Sequence, residues 1–373
     1  MNFYYRIHLY VMAELINFIG NKTFEEVKAS LKELNIGVKS THKLYMVLFG
    51  DNSDFSDPRV RQATGMILEK ETNKLVHYSF EKCYEGFDND WVKISQDPYP
   101  KSKMPNDYSV ELFFEGSIIK LFYYDGMWNT ATSKNIEAHT NTWTSTKTFD
   151  LLFAEGVYGT HNITYREFLD SLDKDYCYTY ILQHPENILG YPVADAGIYY
   201  VNKVNRETLE EERPLVELRV SKTIDEILED NNQNYMVYFT ENNKLIRVKV
   251  LTDSFTNMTA LRGNYPDIGL TYLTHINEHD KRLRYREVFF MYSQKFNDLD
   301  KKFDRSCETL YKLYIDTYVR KEEPYIPKQY IRSLKQLHGQ YRKTKKPITF
   351  EDVTKKLSEL DPGILSYVIS YKK

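Results

Sequence analysis

From Lys43 to about Val250 the chain runs through short tracts dense in Tyr, Val, Ile and Phe, and after about Asn277 its apolar residues recur three or four apart. A period of two belongs to strands and a period near 3.6 to helices, so this one change divides the chain into a β-rich body and a helical tail. The tracts LYMVLFG, TGMILEK, LVHYSF, SIIKLFYY, YTYILQ, GIYYVNK, YMVYFT and LIRVKVL each have the length of one strand, and Thr72-Asn73 and Asp125-Gly126 between them are hairpin residues. Two short helices are expected to interrupt the strands, Tyr165–Leu172 and Ile224–Leu228. Ahead of them, Phe24, Val27, Leu31 and Leu34 share one helical face over Lys22–Asn35, with Thr23 and Glu26 spaced as a capping box and Gly37 as the expected stop. In the tail, Val288–Val319 reads as one long helix, Pro324 and Pro327 as a linker, and Lys328–Tyr341 and Phe350–Leu360 as further helices. The predicted class is α+β: a mostly antiparallel β body over residues 1–276 and an all-helical domain over 277–373.

A chain of 373 residues can bury two cores, and 42% hydrophobic with 28% charged residues is the balance of a globular protein. No run of about 18 apolar residues predicts a membrane span. The opening stretch MNFYYRIHLYVMAELINF is broken by Arg6, His8 and Glu14 and lacks a small-residue cleavage site, so a secretory signal is not expected. Three scattered cysteines, Cys83, Cys177 and Cys307, fit a reducing compartment and no disulfide scaffold, and none is spaced for a zinc site. The expected location is therefore cytoplasmic. The abundance of Asn, Lys, Ile and Tyr suits an AT-rich genome such as that of a large DNA virus, so host cytoplasm or a virion is the corresponding setting.

The net charge of −3 hides a division, since residues 281–373 carry 22 Lys and Arg against 12 Asp and Glu while the remainder carries 28 against 41. A basic module on an acidic body is an arrangement for a polyanion. Within Arg320–Lys346 the cations are interleaved with Tyr325, Tyr330 and Tyr341, a mixture that can neutralise phosphates and stack on unpaired bases, and Arg342, Lys343, Lys345 and Lys346 are its densest point. A solvated helical surface with its tyrosines packed inside would give the same pattern.

The motif order narrows the chemistry. There is no Walker loop, no G-x-G-x-x-G turn and no G-x-S-x-G elbow. Instead Arg61 to Gly65 opens a strand, a second strand ends near Lys82, and Phe113-Phe114-Glu115-Gly116-Ser117 precedes an apolar strand. A Trp128-x-x-x-Thr132 strand follows, and Tyr178 to Asn187 ends in His-Pro-Glu-Asn. Last come Gln233-Asn234-Tyr235-Met236-Val237 and the strand Arg247-Val248-Lys249. Taken in order, these signals resemble the bacteriophage-type, tRNA-repair RNA ligases of the covalent nucleotidyltransferase superfamily, over roughly residues 58–264. The resemblance implies a ligase-type fold, an ATP pocket and RNA as the partner.

It also implies that catalytic positions have drifted. Phe113 stands where the family's lysine takes AMP as a phosphoramidate, a step an aromatic ring cannot perform. Glu115 lengthens an expected Asp ahead of Gly116, Ile181 replaces an acid that contacts the sugar, and the uncharged Gln233 or Asn234 stands where a metal-binding Glu is expected. Arg247 replaces the first lysine of the K-x-K strand, leaving Lys249 and Lys82 as the residual phosphate-binding candidates. The bland reading of the last three is exposed charge on strands, and of His184 a structural turn residue. The expectation is a catalytically degenerate ligase-like protein that binds nucleic acid, RNA before DNA, or serves as a structural or regulatory subunit with protein partners. It would need no cofactor and no metal, with ATP and Mg²⁺ required only if ligation survives. One alternative is an active ligase using a displaced lysine such as Lys249 or Lys120, the latter seven positions and roughly 23 Å along an extended strand from Phe113. The other is a protein-interaction module of a viral assembly.

Overall fold

The computed structural model describes residues 13–88, 97–190, 192–213, 219–242 and 244–370. The apolar opening stretch read above lies, up to residue 12, outside them. The chain divides into two compact units, Met1–Met258 and Thr259–Lys373.

The first unit holds three sheets. Helices α1 (Ala13–Ile19) and α2 (Phe24–Glu33) cover a sheet of order β1-β2-β3-β4, formed by β1 (Ile36–Ser40), β2 (Leu44–Phe49), β3 (Thr64–Glu69) and β4 (Leu75–His77), with α3 (Pro58–Gln62) between β2 and β3. The capping box of α2 forms as the spacing requires, the Thr23 hydroxyl accepting from Glu26 N–H while the Glu26 carboxylate accepts from Thr23 N–H. The helix does not run to Gly37, which sits inside β1. Asn35, at φ 54°, makes the left-handed exit instead, which its short polar side chain tolerates.

The sheet that follows in the chain is split in space. β5 (Tyr84–Glu85), β6 (Ser109–Leu112), β12 (Arg219–Val220), β13 (Tyr235–Glu241) and β14 (Lys244–Val250) form one sheet of order β12-β6-β13-β14-β5, while β7 (Ser117–Tyr124), β8 (Met127–Thr132), β9 (Tyr176–Gln183), β10 (Gly197–Asn205) and β11 (Glu211–Glu212) form another of order β11-β10-β9-β7-β8. The β7–β8 hairpin turns at Asp125 and Gly126, both at positive φ. Helix α4 (Phe149–His161), absent from the sequence expectation, and α5 (Tyr165–Asp170) pack Leu152, Phe153, Val157 and Phe168 on the second of these sheets. Helix α6 (Ile224–Glu229) packs Ile224 and Ile227 on the apolar face of the first, against Tyr235, Val237, Phe239 and Val248. The segment Phe113–Gly116 is the one stretch that passes directly from β6 to β7, hence from one of these sheets to the other.

Helix begins earlier than the periodicity suggests, with α7 (Asp253–Arg262) and α8 (Ile268–Thr274). The predicted single helix Val288–Val319 is three pieces: α9 (His279–Val288) stops, a 3₁₀ turn spans Phe290–Tyr292, α10 covers Ser293–Tyr314, and Ile315–Val319 is a π-helical turn. The aromatic cluster Phe289, Phe290, Tyr292 keeps the spacing but not the backbone, since Phe289 leaves helical geometry at φ −102°, ψ 39°. Helices α11 (Lys328–Thr344), α12 (Phe350–Ser358) and α13 (Pro362–Ile369) complete the second unit around Phe303, Leu310, Leu334, Leu337, Val353, Leu357 and Leu365.

Candidate functional site

Phe113 is not the buried sheet residue that its apolar character suggests. β6 ends at Leu112, and Phe113 continues the ladder by one bond only, its N–H donating to Asn234 O at 2.9 Å. Its half-buried ring meets Phe255 edge-on at 6.4 Å and 89°. Together with Phe114, Glu115, Gly116, Leu182, Gln183, His184, Asn187 and Asn234 it walls a cavity of about 170 Å³. No lysine or arginine lines it among the described residues. The volume is well below the roughly 300–1,000 Å³ typical of a site for a drug-sized ligand.

Each member of the Glu-Gly-Ser motif has a packing reason to be there. A Cβ on Gly116 would lie 2.3 Å from Ile181 Cγ2 and 2.5 Å from Leu182 O, so the strand crossing requires glycine. The Glu115 carboxylate rests on the backbone of Gly190, where an added Cβ would lie 2.3 Å from it, and Glu115 O accepts from the Gln183 amide at 2.7 Å. Ser117 Oγ accepts from Asn187 Nδ2 at 2.8 Å, while Asn187 Oδ1, buried on the cavity wall, has no hydrogen-bond partner among the described residues. Phe114 stacks flat on Tyr199 at 4.2 Å.

His184 of the His-Pro-Glu-Asn turn is buried in a polar cluster. Its Nδ1 accepts from Glu186 N–H at 3.1 Å, so Nε2 carries the proton donated to Glu155 at 2.8 Å. Glu155, His184 and Glu186 bring their ligand atoms within 4.8 Å of one another, a spacing that could hold a cation. The Lys147 ammonium, however, lies 2.9 Å from Glu155 and 2.7 Å from Glu186, and its hydrogen bonds hold both carboxyls below their ordinary pKa. The chain thus supplies a cation of its own, one ammonium shared by both carboxylates, and the cluster fits a turn clamp better than a metal centre.

The predicted phosphate-binding cations sit elsewhere. On β13 and β14 the register places Met236 opposite Lys249 and Tyr238 opposite Arg247, and Met236 opposite Glu111 of β6, so these side chains share the face away from α6. On that face Arg247, 6% exposed, pairs with Glu211. Burial works against its charge, but the Glu211 carboxylate outweighs it and keeps the guanidinium charged. Glu211 also accepts from Asn202 Nδ2 at 2.8 Å, and Arg213 bridges Glu111 at 2.8 Å while lying 3.4 Å over the Tyr238 ring. Lys82 Nζ bonds Asp97 at 2.9 Å and Glu85 at 3.2 Å; Arg61 shares Asp97 at 2.9 Å and stacks on Tyr84. Arg61, Lys82, Arg247 and Lys249 all act electrostatically on the buried Cys83 thiol, whose pKa burial nonetheless raises.

The structure therefore brings Phe113, Glu115 and Gly116 into one cavity, with Ile181 packed behind Gly116, and keeps Lys82, Arg247 and Lys249 off its wall. Gln233 is exposed just ahead of β13. Lys120, on β7, is 1% exposed; its amine donates to Thr64 O at 3.0 Å and Gly65 O at 2.5 Å, and burial pushes its pKa down to about 7. Gly65, at φ 86°, leaves the room for it, since a Cβ there would lie 2.2 Å from Lys120 Nζ. Sequence reasoning missed Glu211, Asn202, Arg213 and Glu111. The alternation of Arg247 and Lys249 signalled a charged inner face, but nothing local signalled which carboxylates meet it.

Arg342, Lys343, Lys345 and Lys346 are all exposed at the C-terminal end of α11. None of them makes an ion pair among the described residues, in contrast to Arg61, Lys82, Arg213 and Arg247 of the body.

No protein-family profile matches the chain. An immediate-early protein ICP-46 homologue of Invertebrate iridescent virus 3 is 23% identical over 137 residues, 37% of this chain and 31% of that protein, so the chain spans about a third of that relative. Among solved structures, a protein described as an ATP-dependent DNA ligase from Aquifex aeolicus is similar at a TM-score of 0.41 and 14% identity, over 86% of this chain and 80% of that one. An archaeal ATP-dependent RNA ligase is similar at a TM-score of 0.38 and 10% identity, over 71% and 72%. Likenesses of that extent transfer neither site residues nor chemistry to this chain. No helix among the described residues is long and apolar enough to cross a membrane.

Proposed function

We propose that this chain is an RNA-ligase-like protein that binds nucleic acid and does not form a lysyl-AMP intermediate. The observation that carries the reading is Phe113: it stands at the motif's nucleophile position, in the β6–β7 crossing, on the wall of a cavity lined by no cation among the described residues. Two further features support it. The cavity does not fit a triphosphate, because no cation lines it among the described residues and Arg247 and Lys82, off its wall, are already paired with Glu211 and Asp97. The unpartnered acceptor of Asn187 suits a small uncharged donor rather than an anion.

Incubation of the purified chain with α-³²P-ATP and Mg²⁺ is expected to give no covalent adduct. An acid-labile, hydroxylamine-sensitive AMP adduct on any lysine would overturn the reading. A second reading, ligation through Lys120, has one feature in its favour, a depressed pKa that leaves the amine partly unprotonated near neutrality. Its amine is nonetheless capped by two carbonyls beneath Gly65 and lines no part of the Phe113 cavity. Lys120→Ala would abolish an adduct formed that way, and Lys249→Ala one formed through Lys249. The nucleic-acid half of the proposal rests on the uncompensated basic end of α11. Binding that falls on replacing Arg342, Lys343, Lys345 and Lys346 is expected, and its absence would favour a purely protein-binding module.

A further inference from the structure

The cavity beside Phe113 has the wrong wall for an anion and the right one for a small organic cation. Its described lining residues include one carboxylate, Glu115, and neither lysine nor arginine. Three of the others are phenyl rings, Phe113, Phe114 and Phe255. A negative group would meet repulsion and apolar carbon there, whereas a positive one would meet a counter-charge and the negative faces of rings.

The rings are fixed in useful positions. Phe113 and Phe255 stand at 89° with centroids 6.4 Å apart, and two rings at right angles offer both π-faces to a group set in the angle between them. Phe114 is held by its flat stacking on Tyr199, which does not line the cavity. Phe113 and Phe255 are only half-buried, so the corner they make is open to an entering group, while Leu182, His184 and Asn187 are buried behind it.

The polar groups of the wall narrow the ligand further. His184 has both ring nitrogens engaged, with Glu155 and with Glu186 N–H. The Gln183 amide donates to Glu115 O, and Asn234 Oδ1 accepts from Thr252 N–H at 2.8 Å. Asn187 differs. It is 6% exposed, its amino group is tied to Ser117, and its Oδ1 is the one orphaned buried side-chain atom on this wall among the described residues. A buried acceptor left without a donor costs free energy that an entering N–H would recover. That acceptor alone would suit an uncharged donor; the Glu115 carboxylate on the same wall makes a charged donor the better match. The bare backbone of Gly190 leaves the room in which that carboxylate lies.

We propose that this cavity binds a protonated primary amine, its ammonium directed at Glu115 and Asn187 Oδ1 and its alkyl stem lying in the angle between Phe113 and Phe255. A hard metal ion would find too few oxygens here, since such ions take six or more. A free alkylamine and the end of a partner's lysine side chain present the same ammonium on the same stem, and either fills the site. The inference goes beyond the nucleic-acid reading and does not depend on it.

The test is a ligand-observed NMR titration on the full chain with butylammonium and three compounds of the same stem: 1-butanol without charge, butyrate with the opposite charge, and butyltrimethylammonium with charge but no N–H. Butylammonium is expected to bind about ten-fold or more tightly than each of the others. Glu115→Gln, nearly unchanged in shape, is expected to bring butylammonium down to the level of butanol. Phe255→Leu, which keeps apolar bulk but removes a π-face, is expected to weaken it roughly three-fold. Butanol, butyrate or butyltrimethylammonium binding as tightly as butylammonium would overturn the proposal on the parent chain alone, whatever the variants do. So would Glu115→Gln and Phe255→Leu that both bind butylammonium like the parent with their urea midpoints unshifted, because the amine would then sit elsewhere. A glycine-flanked lysine tripeptide separates the two sources: tighter binding than butylammonium assigns the ammonium to a partner chain, and weaker binding to a free amine.

Discussion

In the body of the protein, Arg61, Lys82, Arg213 and Arg247 each meet a carboxylate of the same chain, whereas on α11 Arg332, Lys335, Arg342 and Lys343 meet none among the described residues. The same residue types therefore do two different things. In the first case the positive charge holds strands and segments together in a poorly solvated space, and a phosphate would have to displace a bonded carboxylate to use it. In the second the charge faces solvent and is available to a partner. A count of cations along the sequence cannot separate these states; only the position of the carboxylates does.

The sharpest way to break this contrast is to remove one partner on each side. Arg247→Ala leaves Glu211 buried without its counter-charge and Asn202 as its remaining donor, and is expected to destabilise the chain by about 3–5 kcal/mol in urea unfolding. The double replacement Arg247→Met with Glu211→Leu should recover most of that loss, because no uncompensated charge remains. A single replacement costing under about 1 kcal/mol would mean that the pair is solvated, and the body's cations would then be as available as those of α11.

On the other side, replacing Arg342, Lys343, Lys345 and Lys346 with Ala should leave unfolding within about 0.5 kcal/mol of the parent, as expected for exposed positions. The slope of log affinity for a single strand against log salt should fall by roughly 0.7 for each phosphate that is no longer neutralised. An unchanged slope would place the nucleic-acid interface elsewhere.

How much of this was legible in the sequence differs between the two regions. The strands of the body and the Thr23 capping box were readable because period and capping are local properties. So was the turn at Asp125-Gly126, whose residues take positive φ readily. The π-helical turn after α10 was not, since Tyr314 and Tyr318 keep a helical spacing whatever the hydrogen bonding beneath them. The site divided the same way. Phe113, Glu115 and Gly116 are neighbours in sequence and remain neighbours in space. Lys82 and Arg247 were grouped with them by motif, yet their partners Asp97 and Glu211 lie 15 and 36 residues away, a distance at which sequence pattern carries no pairing information.

Lys120 offers a third state of a cation, buried with no carboxylate at its amine, and so sharpens the comparison. Its folded pKa, about 7, lies below the ordinary lysine value near 10.4, so between these two the unfolded chain binds the extra proton. Stability contributed at this position therefore rises with pH from about 7 upward. Between pH 7 and 9 the buried thiols of Cys83, Cys177 and Cys307, whose pKa values burial raises, act in the opposite sense, so the effect is read as a difference: the parent is expected to gain on the order of 1–3 kcal/mol relative to Lys120→Met in urea unfolding. A difference that does not change with pH would assign no titration to Lys120.

The smallest expected effect is the most informative about the cleft. Phe113→Lys puts an amine at the position proposed for the nucleophile, on the wall of the cavity, and the β6–β7 crossing can accept it because Phe113 is only half-buried. If the ring were the sole departure, the variant would acquire a lysyl-AMP adduct with ATP and Mg²⁺. The expectation is no adduct. The amine alone supplies a nucleophile but not the charge that a triphosphate needs, and Arg247 and Lys82 remain bound to Glu211 and Asp97. An adduct at the introduced lysine would show that those ion pairs yield to phosphate, and the division between paired and available cations would then fail in the body. An adduct only when Glu211→Gln is added to Phe113→Lys would locate the block in the Arg247 pair, because the amide removes the competing charge while keeping the side chain's shape and its acceptor for Asn202.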